Sequence, residues 1–247
     1  MEIRKLEVKD DLYKNIPDDE KLVFVMMGHI ANELNVLRKL VLMNSFYVTD
    51  STIEKAGNGI QSLVLIKIFV AKVFEARGFM QKHGMVLNRM AIDKDSEISQ
   101  GMKKLNQYFG KKNLIEYVRN KFGAHYDSET VMQHIQNVHI GDHNGVIYLT
   151  PHQGLILYHF QEQMVFGALN KSHDEDEINL TFGALINEVG DVADWIGSCA
   201  QGVMIYIGKR YANGKWEKPA IHENVNPKPH TDATIPYLVD FTGAVKD

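Results

Sequence analysis

The dominant pattern along the chain is apolar residues recurring every three or four positions. Between residues 18 and 43, Val23, Met27, Ile30, Leu34, Leu37 and Val41 form one such stripe, and Asp18, Asp19 and Glu20 follow Pro17 as acids suited to a helix N-terminus. A long helix is predicted there. A second begins at Ser51-Thr52-Ile53-Glu54, a reciprocal capping box, and runs to about Phe79. Its middle, residues 63–71, is apolar nearly all round, which predicts a central helix enclosed by others. A third helix is predicted over 96–109, with Ile98, Met102, Leu105 and Tyr108 inward and Gly110 placed to end it. A fourth starts at Asn113, with Leu114, Val118 and Phe122 on its buried side and Gly123 placed to interrupt it. Asp127 and Ser128 read as another cap, so 129–138 is either a fifth helix or a bent continuation of the fourth.

The period then changes. Val146-Ile147-Tyr148-Leu149 and Leu155-Ile156-Leu157-Tyr158 flank a segment containing Pro151 and Gly154, which predicts a β-hairpin near 146–159, with a third short strand near 164–166. From 175 to 210 the helical period returns through Phe182, Ile186, Val189, Val192, Ile196, Cys199, Val203 and Ile207. Residues 213–247 hold four of the six prolines and no sustained period, so they read as an irregular tail. The expected architecture is mainly α: one helical domain over 1–212, a bundle with an inserted hairpin, followed by the tail.

Composition agrees with a folded chain. Of 247 residues, 45% are hydrophobic and 23% charged, which excludes disordered and fibrous classes. No apolar run approaches the roughly 18 residues of a membrane span, and the mixed charges of residues 1–7 lack a secretory signal, so a cytoplasmic protein is expected. Cys199, the single cysteine, cannot form an internal disulfide and is expected to pack in the core. A net charge of −4 gives no global field for nucleic acid. Locally, however, Lys103, Lys104, Lys111, Lys112, Arg119 and Lys121 face one acid, Glu116. That basic island reads by itself as solvated helix surface.

The island ends in Arg119-Asn120-Lys121-Phe122-Gly123-Ala124-His125-Tyr126. An arginine followed by a polar residue, with a histidine six positions after the arginine, resembles the signature of HEPN-domain proteins. These are helical bundles whose members include metal-independent endoribonucleases, and the overall plan is similar to HEPN proteins of abortive-infection phage defence. The family spacing, Arg-x(4–6)-His, discriminates weakly, since six arginines with three permitted histidine offsets each and 11 histidines in 247 residues give about 0.8 chance matches. Arg77 and His83 are such a match, with Gly78 rather than a polar residue after the arginine. On a straight helix, positions six apart point roughly 120° away from one another. Either the chain breaks at Gly123, or a second copy supplies the complementary groups across a two-fold axis. The resemblance implies the second route, hence a homodimer.

The resemblance also implies roles. His125 would serve as base on the RNA 2′-hydroxyl or acid on the leaving oxygen, Arg119 would stabilise charge at phosphorus, and Asn120, Lys121, Lys111 and Lys112 would hold phosphate. Glu33 and Tyr126 are candidate supports. No metal or other cofactor is implied, and an antitoxin protein is a candidate partner in a toxin–antitoxin setting. One departure concerns regulation: toxins paired with nucleotidyltransferase antitoxins carry tyrosine two residues after the histidine, whereas here Tyr126 follows directly and Asp127 occupies that place. The alternative is a non-catalytic HEPN-like module that binds nucleotide, RNA or a partner protein through the same cleft. His134, His139, His143, His152 and His159 form a weaker candidate metal cluster. His29 and Glu33, four apart, read as a polar helix face, and Trp195 and Trp216 as packing residues.

Overall fold

The chain adopts the mainly α architecture expected from its periodicity. The structure is a computed structural model describing residues 1–45, 49–91, 96–123, 128–137, 145–149, 156–170, 175–212, 216, 221–229 and 235–237, with backbone alone at 122–123, 169–170 and 175–181. In order, its elements are β1 (Glu2–Arg4), α1 (Asp10–Asn15), α2 (Asp18–Ser45), α3 (Thr52–Lys82), α4 (Gly84–Met90), α5 (Glu97–Phe109) and α6 (Leu114–Val118). A π-helical turn (Arg119–Gly123), α7 (Ser128–Asn137), α8 (His159–Asn170), α9 (Glu175–Tyr211) and β2 (Ile221–Asn224) complete it. Two compact units result: Met1–Val36, Lys72–Asn113 and Val189–Lys228 form the first, and Leu37–Ala71, Leu114–Glu188 and Pro229–Asp247 the second.

In the first unit the predicted stripes are the core. Val23 and Met27 of α2 are fully buried, as are Val189, Val192, Ile196, Cys199, Val203 and Ile207 of α9. Burying each such aliphatic side chain contributes about 1.5–3 kcal/mol. Ser96 caps α5 by accepting the Ser99 N–H at 3.3 Å. That helix buries Ile98, Leu105 and Phe109, while Met102 and Tyr108, also expected inside, are half-buried. A Cβ on Gly101 would strike Cys199 Sγ and come within 2.7 Å of the Trp195 carbonyl oxygen, and one on Gly202 would lie 3.0 Å from the Ile98 nitrogen. These bare positions let α5 and α9 approach closely.

The tail is not wholly irregular. Ile221–Asn224 pairs antiparallel with β1, Glu2 opposite Asn224 and Ile3 opposite Glu223, and the Val225 N–H donates to the Met1 carbonyl at 3.0 Å. All four residues of β2 are exposed, so no alternation signals the strand and its partner defines it. Trp216 also packs, donating Nε1–H to the Glu7 carbonyl at 3.1 Å with its ring 6.4 Å from that of Phe24.

In the second unit, the Glu54 N–H donates to Ser51 Oγ at 3.3 Å, the cap expected for α3, and the Glu54 carboxylate accepts from Thr49 Oγ1 at 2.6 Å. Ile66, Phe69 and Val70 are buried, but Val64 and Ile68 are 45% and 44% exposed. The 63–71 stretch is therefore open on one side, a correction to the enclosed helix expected from its composition. Where α2 approaches α3, Asn44 Nδ2 donates to the Asn58 carbonyl at 2.7 Å and to Ser62 Oγ at 2.6 Å, all three residues being buried.

Residues 164–166, expected as a strand, lie within α8, where Met164 and Ala168 fall one turn apart on a buried face. Three apolar residues are too short a run to separate strand from helix. Of the expected hairpin, Tyr148 and Leu157 exchange both N–H···O bonds, at 3.0 and 2.9 Å; the expected turn at 150–154, and residue 155 after it, lie outside the described residues. His134 of α7 is buried against Gly167 of α8, where a Cβ would come within 2.7 Å of its ring. Tyr237 rests on Gly57 and donates its hydroxyl to the Ile156 carbonyl at 3.4 Å.

Candidate functional site

The motif segment belongs to the second unit. Asn113 stands immediately before α6, donating Nδ2–H to the Lys111 carbonyl at 2.9 Å. Helix α6 is pinned by Ile115 and Val118, 0% and 1% exposed and three residues apart; Leu114, expected as an anchor, is half-buried. With Val118 fixed inside, the chain passes at Arg119 from α-helical to π-helical bonding and stays so to Gly123. Single π turns bond i to i+5 and occur often at functional sites. The interruption foreseen at Gly123 is thus a widened turn beginning four residues earlier.

Within that turn, Arg119 Nη1 donates to Asn120 Oδ1 at 3.0 Å. Because the amide oxygen accepts, the Asn120 amide nitrogen is oriented as a donor beside the guanidinium. Asn120 is exposed and Arg119 half-buried, so two adjacent donor groups stand at the surface. The Lys121 ammonium donates to Thr130 Oγ1 of α7 at 3.3 Å. That contact ties the π turn to the next helix. Chemically, a guanidinium and an amide N–H side by side suit the oxygens of a phosphodiester.

His125 and Tyr126 lie outside the described residues. Lys111 and Lys112 are exposed between α5 and α6 and belong to the first unit, as does Glu33. Glu33 meets Lys72 at 3.6 Å and His29 at 3.7 Å, the polar helix face expected of it. The Lys72 ammonium is held above its ordinary pKa, chiefly by its hydrogen bond to Glu75 and then by that carboxylate's charge and by Glu33. The competing Arg77/His83 pair is occupied in packing. Arg77 lies 4.1 Å over the Phe109 ring, and His83 stacks against Phe79 with centroids 4.5 Å apart.

Of the five histidines of the candidate metal cluster, His139, His143 and His152 lie outside the described residues. Among the described residues, no group of three or more His, Cys, Asp or Glu side chains is placed to hold a metal ion. None of their helices is long and apolar enough to cross a membrane. Cys199 is buried, and burial pushes its thiol up to about 12.

Sequence reading passed over a second polar cluster, in the first unit. Asp19 and Glu20 read as helix-start acids, yet Glu20 is only 3% exposed and accepts from Tyr211 at 2.8 Å and from Tyr206 and Arg89, each at 3.2 Å. The available signal was an acid in register with the apolar stripe, three residues before Val23. No family model, no curated protein and no solved structure matches the chain.

Proposed function

We propose that the chain is a metal-independent endoribonuclease of HEPN type, acting as a homodimer through Arg119 and His125. The observation that supports this reading is the π turn in which Arg119 Nη1 donates to Asn120 Oδ1 at 3.0 Å, setting a guanidinium beside a side-chain amide. In the proposed reaction the 2′-hydroxyl loses its proton to one His125 and its oxygen attacks the adjacent phosphorus. The bond to the 5′-oxygen breaks, and that oxygen takes a proton from the His125 of the second copy. The products are a 2′,3′-cyclic phosphate and a 5′-hydroxyl. Arg119 stabilises the charge that develops on the phosphoryl oxygens, Asn120 orients them, and Lys121 adds positive charge for the RNA backbone.

The test compares wild type with Arg119→Ala and His125→Ala on mixed RNA in EDTA, with circular dichroism as the folding control. Cleavage by wild type and loss of at least 100-fold in each folded variant is expected, the scale of one general acid–base or oxyanion-stabilising group. Retained cleavage in both variants removes the motif from the mechanism. RNA binding without cleavage by wild type favours the non-catalytic module.

A further inference from the structure

In the first unit, Asp19 and Glu20 at the start of α2, Arg89 of α4, and Tyr206, Arg210 and Tyr211 at the end of α9 line an open cavity of about 430 Å³. That size lies within the range of small-molecule sites. Its polar atoms can be accounted for one by one. Glu20 Oε1 accepts from Arg89 Nε and from the Tyr206 hydroxyl, both at 3.2 Å, and Oε2 accepts from the Tyr211 hydroxyl at 2.8 Å. Asp19 Oδ2 accepts from Arg89 Nη2 at 2.6 Å, and Oδ1 from the Glu20 N–H at 2.9 Å. Arg210 Nε donates to the Tyr211 oxygen at 3.2 Å, and its guanidinium lies 5.9 and 5.7 Å from the Tyr206 and Tyr211 ring centres.

Each carboxylate oxygen is thus engaged, and both tyrosine hydroxyls spend their protons on Glu20. What remains is donor capacity: Arg89 Nη1 and Arg210 Nη1 and Nη2 meet no acceptor among the described residues. A cavity whose acceptors are used and whose spare groups are guanidinium N–H calls for an oxyanion. The two arginines come from different helices. A planar carboxylate serves one fork with its two oxygens, whereas a terminal phosphate offers three oxygens in a tetrahedron and can take both. The cavity also has room for the organic part of such a molecule.

We propose that this cavity binds the terminal phosphate of a small phosphate monoester, held by Arg210 and the outer nitrogen of Arg89, at a site separate from Arg119. The buried Glu20 network is the fixed wall that aims these arginines. Arg210→Gln is the informative change because it leaves Glu20 all three donors. The experiment is calorimetric titration of the full chain with inorganic phosphate and with acetate at constant ionic strength, using wild type, Arg210→Gln and Arg119→Ala.

Saturable phosphate binding is expected with wild type and Arg119→Ala. Arg210→Gln should bind at least tenfold more weakly, about 1.4 kcal/mol, while its unfolding temperature without phosphate stays that of wild type. Acetate should bind at least tenfold more weakly than phosphate. No saturation by about 10 mM phosphate, above the millimolar scale of weak specific binding, overturns the site. Equal phosphate binding by Arg210→Gln overturns it, as does acetate binding as tight as phosphate. Loss of binding in Arg119→Ala alone assigns the anion to the motif instead. Failure of RNA cleavage leaves each of these results readable.

Discussion

Two buried polar clusters show opposite solutions to one problem. In the first unit a carboxylate, Glu20, is surrounded by two hydroxyl donors and a guanidinium. In the second, Asn44 donates twice, to the Asn58 carbonyl and Ser62 Oγ, while Asn44 Oδ1 and both side-chain polar atoms of Asn58 are buried with no hydrogen-bond partner among the described residues. A charge withdrawn from water needs several donors to persist, because its desolvation far exceeds that of a neutral amide. An amide is tolerated with part of its capacity idle, at about 1–3 kcal/mol per orphaned atom. The first cluster is therefore fragile to loss of any donor, and the second can be improved by removing its polarity.

The largest effect is expected from Arg89→Ala. It strips Asp19 of its 2.6 Å partner and the buried Glu20 of one of three donors, and should lower the urea midpoint more than any other substitution named here. Asn44→Ala comes next, at about 1–2 kcal/mol, since it leaves the Asn58 carbonyl and Ser62 without their donor. Asn58→Leu is nearly isosteric, keeps the accepting backbone carbonyl and deletes two orphaned atoms. It should fall within about 1 kcal/mol of wild type, in either direction. A loss as large as that of Arg89→Ala would break the contrast.

The smallest effect in the ordinary pH range separates the clusters by titration. Burial, with the charge of Glu20 behind it, pushes the Tyr206 hydroxyl up to about 12 from its ordinary 10.0. A raised folded pKa contributes stability that is complete below the unfolded value and declines as pH rises from 10 towards 12. Cys199, raised from 9.0 to about 12, adds a decline starting one unit lower. Urea midpoints should be flat in this respect below pH 9 and fall above it. Tyr206→Phe should remove part of the fall above pH 10, and Asn44→Ala none of it.

Much of this architecture was legible because helices announce themselves repeatedly. The stripe from Val189 to Ile207 spans many turns, and Ser51 and Ser96 cap the helices they precede. Short elements carry too few residues for that redundancy. Residues 164–166 read as strand but lie in helix, and 221–224 carried no strand signal at all. Burial is harder still, since an apolar composition does not say which neighbours arrive: Val64 and Ile68 are nearly half exposed. At the motif, residue types could nominate Arg119 and Asn120, but the π turn that joins them depends on how Ile115 and Val118 seat α6. The Glu20 cluster draws partners 69 to 191 residues away, beyond any local pattern.

The most direct measurement concerns the attacking group itself. An RNA oligonucleotide that wild type cleaves would be presented again with its ribose 2′-hydroxyls methylated, in EDTA, and the product ends identified by mass spectrometry. The proposed chemistry predicts 2′,3′-cyclic phosphate and 5′-hydroxyl ends from the unmodified strand and no cleavage of the methylated one. Cutting of both strands, or 3′-hydroxyl ends from either, would contradict it.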